Sequence, residues 1–232
     1  MRPAGAVRAA ESAVAALLWV VLCAGSSVLA LTTPVFTSAL TQVLGVPATS
    51  GLSTEDVVRL SASVRALVAD AEYEPLPAEW KGAPAFDAAS VSHLLDVRSV
   101  ISGARVATGV AALMLAIYLA TAIALRRLGP LRSGMSVAAG GLVALVVLAL
   151  AAAVLDFGTL FAWFHSLFFA SGTWTFPADS LLIRLFPERF WVAAGASWAA
   201  LILLSAAVLA AAGHWLVPAL EGIGASRTAQ NV

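Results

Sequence analysis

Charge is scarce in this 232-residue sequence: 11% of residues are Asp, Glu, Lys or Arg and 61% are hydrophobic, against roughly 25% charged in ordinary soluble domains. That balance excludes a soluble globular protein. Thirteen basic residues offset thirteen acidic ones, so no excess positive charge exists to neutralise phosphates, and no basic stripe with interleaved aromatics occurs. Nucleic acid is not an expected partner. A lone cysteine, Cys23, allows neither an intramolecular disulfide nor a paired-cysteine metal knuckle. A zinc-protease HExxH motif, a serine nucleophile elbow, a phosphate-cradling glycine loop and a dinucleotide fingerprint are all missing, so nucleotide use and serine hydrolysis lack support.

What the chain does have is long apolar runs. About 20 consecutive apolar residues cross a bilayer as a helix, and four such runs free of Asp, Glu, Lys and Arg occur, at about 13–31, 106–125, 135–155 and 190–212. The expected fold is an all-α integral membrane protein with four transmembrane helices, a single membrane domain rich in Ala and Gly that let helices approach closely. The first run is too long for a signal peptide and is read as an uncleaved helix. Arg2 and Arg8 precede it, Arg126, Arg127 and Arg132 fill the tight connection between the second and third runs, and Arg227 follows the fourth. By the positive-inside rule both termini are expected in the cytoplasm. Arg98, Arg105, Arg184 and Arg189 then lie on the opposite side, against the rule. The runs contain no acid, base or proline-broken helix pair of the kind that marks an ion pathway, which disfavours a transporter.

Residues 32–105 are too many for a structureless connector and read as a small extracellular helical cap. Ser53-Thr54-Glu55-Asp56 is a helix-capping signal, followed by Val57, Leu60, Val64, Leu67 and Val68 on one face. That helix is expected to stop before Glu74-Pro75. A Pro/Gly-rich stretch follows, and helix resumes from Phe86 to about Ser102 and leads through Gly103 into the second span; no strand pattern competes. The outer loop 156–189 is denser in aromatics: eleven of the chain's nineteen fall between Phe157 and Trp191, eight of them Phe. An interfacial belt and an apolar pocket both fit that density.

Of three histidines, His93 lies in the second cap helix and His165 among Phe161-Ala162-Trp163-Phe164 and Ser166-Leu167-Phe168-Phe169, where desolvation would hold a ring neutral and competent as a base. His214, beside Trp215, reads as an interfacial polar residue. Asp96, three residues after His93, is positioned to orient its imidazole. The histidines share no ligand spacing, and no metal site is expected.

His93-Leu94-Leu95-Asp96-Val97-Arg98 and the stretch Phe164-His165, Phe168-Phe169, Trp174-Thr175-Phe176, Asp179, Leu181-Leu182, Leu185-Phe186-Pro187 and Phe190-Trp191 resemble motifs of the bacterial lipoprotein intramolecular transacylases. The resemblance covers essentially the whole chain, with Leu94 where that family more often has methionine. It implies a multi-pass protein of the bacterial cytoplasmic membrane that uses no cofactor. Its partners would be membrane lipid and a diacylated lipoprotein in the outer leaflet. His93 and His165 would be catalytic, with Phe164, Phe168, Phe169, Trp174, Phe176 and Phe186 forming a confined site. Asp96 would orient His93, Arg98 hold a polar part of the substrate, and Asp179 tether the loop. The implied reaction moves the sn-2 acyl chain of diacylglyceryl-cysteine to the α-amine of the same cysteine, giving lyso-form lipoprotein. A membrane scaffold or assembly factor, or a lipid-binding protein without chemistry, is the alternative. The enzyme reading requires the two imidazoles within ~7 Å of each other.

Overall fold

The computed structural model describes residues 3–219, so Arg2 and Arg227, used above for orientation, lie outside the described residues. In chain order the elements are α1 (Pro3–Leu31), α2 (Pro34–Val43), α3 (Val46–Ser50), α4 (Thr54–Ala69), a short hairpin of β1 (Glu79–Trp80) and β2 (Ala83–Pro84), α5 (Ala88–Ala124), α6 (Gly129–Ser166), α7 (Leu181–Leu185) and α8 (Glu188–Ala211), which runs into one π-helical turn at Ala212–Leu216. Four helical stretches are long and apolar enough to cross a membrane: Gly5–Leu31, Ala88–Ala124, Gly129–Ser166 and Glu188–Ala219. The fold is all-α and membrane-integral. At 1.5 Å per residue, the 37 residues of α5 extend about 55 Å, nearly twice the ~30 Å hydrocarbon core. Its apolar run needs only part of that length, and its first turns carry His93. Gly103 causes no break.

The chain divides into two compact units. The first comprises, of the described chain, residues 3–27, 106–150 and 199–219. Small residues set its helix spacing: a Cβ at Gly25 of α1 would overlap Thr108 Oγ1 of α5, and one at Gly134 of α6 would stand 2.7 Å from Ala15 Cβ of α1. Ala16, Leu115, Ala138, Leu142, Ile202 and Ala206 are buried around these contacts. The α5–α6 connection closes as a Schellman turn, with Arg126 left-handed at φ 53° and the Arg127 N–H donating 2.8 Å to Ala122 O. Arg127 also pairs with Glu11 at 3.2 Å. His214 is exposed, edge-on to Trp215 at 4.6 Å.

The second unit comprises residues 28–105 and 151–198. Its core forms as the α4 periodicity requires, with Val57, Leu60, Val64 and Leu67 buried against Leu94, Leu181, Leu182, Leu185, Phe186 and Phe190. Ser53 caps α4, its hydroxyl accepting the Asp56 N–H at 3.0 Å. At the other end Arg65 binds Asp70 through two bonds of 2.8 and 2.6 Å, which hold the Asp70 carboxyl below the usual carboxylate range. The hairpin contradicts the expectation of no strand. Lys81 and Gly82 both adopt positive φ, 53° and 78°, which is the primed turn that joins two antiparallel strands. The ladder is only two residues long, pairing Glu79 with Pro84 and Trp80 with Ala83, too short for an alternating pattern to show in the sequence.

The aromatic segment differs from a loop in its first third. Helix α6 is interrupted at Asp156, which is extended (φ −163°, ψ 100°). Its carboxylate accepts the Thr159 N–H at 3.1 Å and the Thr159 hydroxyl at 2.5 Å, an N-cap that starts a new helical stretch ending at Ser166.

Candidate active site

Directly after that cap, the spacing Phe157, Phe161, His165 aligns three rings along one helix face. Phe161 stands 5.8 Å from Phe157 and 4.0 Å from His165, ring centroid to centroid. The histidine's Nδ1 is 2.8 Å from Phe161 O. A carbonyl oxygen only accepts, so Nδ1 carries the proton, and in the neutral ring the lone pair is on Nε2. Sequence reasoning did not single out Phe161. Its i, i+4 relation to His165 is the signal that could have found it.

Opposite stands His93, carried inward by α5. The two imidazoles are 6.3 Å apart and stacked at 29°, inside the ~7 Å that action on one intermediate requires. Both are buried, each 8% exposed. Phe169 packs beside both, 4.9 Å from His93 and 5.7 Å from His165. Phe176 packs on His93 at 5.5 Å, and Trp174 on His165 at 4.8 Å. The Nδ1 atom of His93 has no hydrogen-bond partner among the described residues. Two rings with polar edges thus face each other inside an apolar box, where an N–H or a lone pair interacts more strongly than in water.

The remaining expected pocket residues are less central. Phe164 meets His165 edge-on at 5.6 Å and Phe168 at 5.3 Å, and both are about half exposed. With Trp163 and Leu167, also exposed, they form an outward apolar face. Phe186 belongs to the unit's core, against Phe190 at 5.1 Å and Trp191 at 6.3 Å, and among the described residues its ring meets neither histidine. Cavities of about 280 and 360 Å³ open within the second unit, and no histidine lines either. The imidazoles sit in a packed cluster of rings.

The supporting residues fall elsewhere. Asp96 is exposed, and among the described residues no hydrogen bond joins it to His93, on which it acts only through its charge. Three residues on a helix turn 300°, which carries it off the inward face. The guanidinium of Arg98 is committed to the carboxyl end of α4, donating to Leu67 O at 2.5 Å, Asp70 O at 2.8 Å and Ala71 O at 3.3 Å and lying 4.4 Å from the Tyr73 ring. Arg105 adds a bond to Ala69 O at 2.6 Å. These arginines terminate a helix whose last carbonyls otherwise lack partners. Arg98→Met is expected to destabilise the protein by about 1–3 kcal/mol, measured by thermal unfolding in detergent, and to leave KM unchanged; a raised KM without loss of stability would return Arg98 to substrate binding. Asp179 lines the smaller cavity, which no histidine lines. Among the described residues no group of three or more His, Cys, Asp or Glu could hold a metal ion.

The model of the family described as "Lipoprotein intramolecular transacylase Lit" matches residues 12–191. Among solved structures, the membrane-integral lipoprotein intramolecular transacylase Lit from Bacillus cereus superimposes with a TM-score of 0.79 at 14% identity, over 92% of this chain and 97% of that one. A variant of the same protein with one histidine replaced by arginine gives 0.73 at 13% identity, over 97% and 96%. At such identity the superpositions establish the fold alone. No curated protein matches. The family match spans most of the chain, and the chain accordingly belongs to the lipoprotein intramolecular transacylase Lit family, acyltransferases integral to the membrane.

Proposed function

We propose that this protein converts diacylglyceryl-cysteine lipoproteins to the lyso form by moving the sn-2 acyl chain onto the α-amine of the same cysteine. The observation that carries this reading is the pair of buried imidazoles 6.3 Å apart, one with its tautomer set by Phe161 O. An α-amine has a free pKa of about 8, so it must shed a proton to become a nucleophile, and a second as it forms an amide. The amine nitrogen attacks the ester carbonyl carbon while Nε2 of His165 takes the nitrogen's proton. His165 then delivers that proton to the glyceryl oxygen as the C–O bond breaks. The first proton, shed by the ammonium form, goes to solvent; from the free amine onward, ester and amine become amide and alcohol with no net proton change and no cofactor.

His93 serves as the N–H donor to the oxyanion that forms on the carbonyl oxygen. Two imidazolium ions at this spacing in an apolar box would repel, which favours a route that charges one ring at a time. The exposed Trp163, Phe164, Leu167 and Phe168 form the surface along which acyl chains reach the site from the lipid. Preorganisation of amine and ester in one molecule supplies about 7–11 kcal/mol of the barrier reduction. The cap and site face outward and the termini the cytoplasm, supported by Arg8 and by Arg126, Arg127 and Arg132 in one short connection.

The test is N-terminal fragmentation mass spectrometry of a diacylated lipoprotein co-expressed with this protein in a bacterial host lacking N-acylation. Total mass is expected to stay constant while one acyl chain appears on the cysteine nitrogen. Both chains remaining on glycerol, with the protein in the membrane and the lipoprotein a known substrate, would favour a scaffold or lipid binder.

A further inference from the structure

The acyl transfer leaves one part of the substrate unplaced, the polypeptide that continues from the lipidated cysteine. Ser90, buried one turn before His93 on α5, also lines the cavity of about 280 Å³ bounded by Trp80, Asp87, Asp179, Leu182 and Arg184. Along α5 the order is Ser90, His93, then the apolar run from Val106. The cavity thus adjoins the histidines on the side away from the lipid-soluble chains. Its volume, near the lower end of small-ligand sites at ~300–1,000 Å³, accommodates one or two residues.

The wall is amphoteric. Arg184 is fixed by its Nε–H donating to Ser50 O at 2.9 Å and by stacking 5.2 Å from the Trp80 ring, with no hydrogen bond from its Nη groups among the described residues. Asp87 accepts the Ser90 N–H at 2.6 Å, and the backbone and hydroxyl of Ser90 hold its carboxyl below the usual range. Asp179 is exposed and makes no hydrogen bond among the described residues. A donor facing two carboxylates matches a peptide backbone, which offers carbonyls and N–H groups in alternation, and gives the wall a net negative charge. The larger cavity has no charged lining residue and lacks that match.

We propose that this cavity receives the residues immediately after the lipidated cysteine, with Arg184 binding a backbone carbonyl and Asp87 and Asp179 favouring a basic over an acidic side chain. The proposal rests on the transacylase reading. Its test compares two synthetic diacylglyceryl-cysteine pentapeptides, with Lys or with Glu at the second and third residues, as substrates of the full chain in detergent. The expected kcat/KM ratio is about fivefold in favour of Lys, the effect of a partly exposed ion pair. Asp179→Asn is expected to reduce the ratio and Asp179→Lys to abolish or reverse it. Turnover of both peptides without preference, or an unchanged ratio in Asp179→Lys, would overturn the peptide subsite alone. Turnover of neither by the wild-type chain would overturn the transacylase reading and the subsite with it.

Discussion

Replacing His165 with glutamine is expected to lower the rate of acyl transfer by about 10²–10⁴-fold, the range for loss of a positioned general base, while the protein accumulates in the membrane at its normal level. Glutamine preserves approximate volume and polarity, so the ring cluster of Phe161, Phe169 and Trp174 around position 165 keeps its packing. What disappears is an atom that takes a proton and gives it back. The measurement is single-turnover kinetics on a defined lipopeptide, paired with thermal unfolding to show that the fold is intact. A rate within a factor of a few of wild type would remove His165 from proton transfer and leave it a packing residue.

His93 is expected to behave differently because its proposed task is donation to an oxyanion. His93→Ala is expected to cost about 10²–10³-fold in kcat, as does loss of one oxyanion donor elsewhere. His93→Gln, which keeps an N–H, is expected to recover part of that loss, and a purely structural ring would show no such rescue. The double variant His93→Ala/His165→Gln is expected to fall little below the slower single variant, because residues acting as one unit are non-additive. Multiplicative losses would mean that the rings act on separate steps.

Much of this arrangement is legible in the sequence because it depends on local rules. The four apolar runs need only length and composition, and α4 needs only the Ser53 cap and the spacing of Val57, Leu60, Val64 and Leu67. The histidine pair is legible through motif resemblance, whereas the 6.3 Å separation depends on tertiary packing of α5 against the end of α6, which no local pattern encodes. The same holds for Arg98: its place in the motif points to substrate, but the nearest acceptors are the carbonyls at the end of α4, 27 to 31 residues earlier. Asp96 illustrates a limit of spacing arguments, since i and i+3 share a face only within 60°, enough to separate a buried ring from an exposed carboxylate. Asp156, read as the first residue of an outer loop, is a capping residue, and the helix it starts places Phe161 and His165 on one face.

In the proposed reaction one acyl chain moves within one substrate molecule under the two facing imidazoles. Its most direct test uses a lipopeptide carrying an isotope-labelled chain at sn-2, mixed with an unlabelled lipopeptide of different peptide mass, and turned over by the purified protein. N-terminal fragmentation is expected to find the label on the cysteine nitrogen of the molecule that brought it, with none on the other peptide and none transferred by the His165→Gln variant. Label on the second peptide, or equal transfer by the variant, would contradict an intramolecular reaction carried by this site.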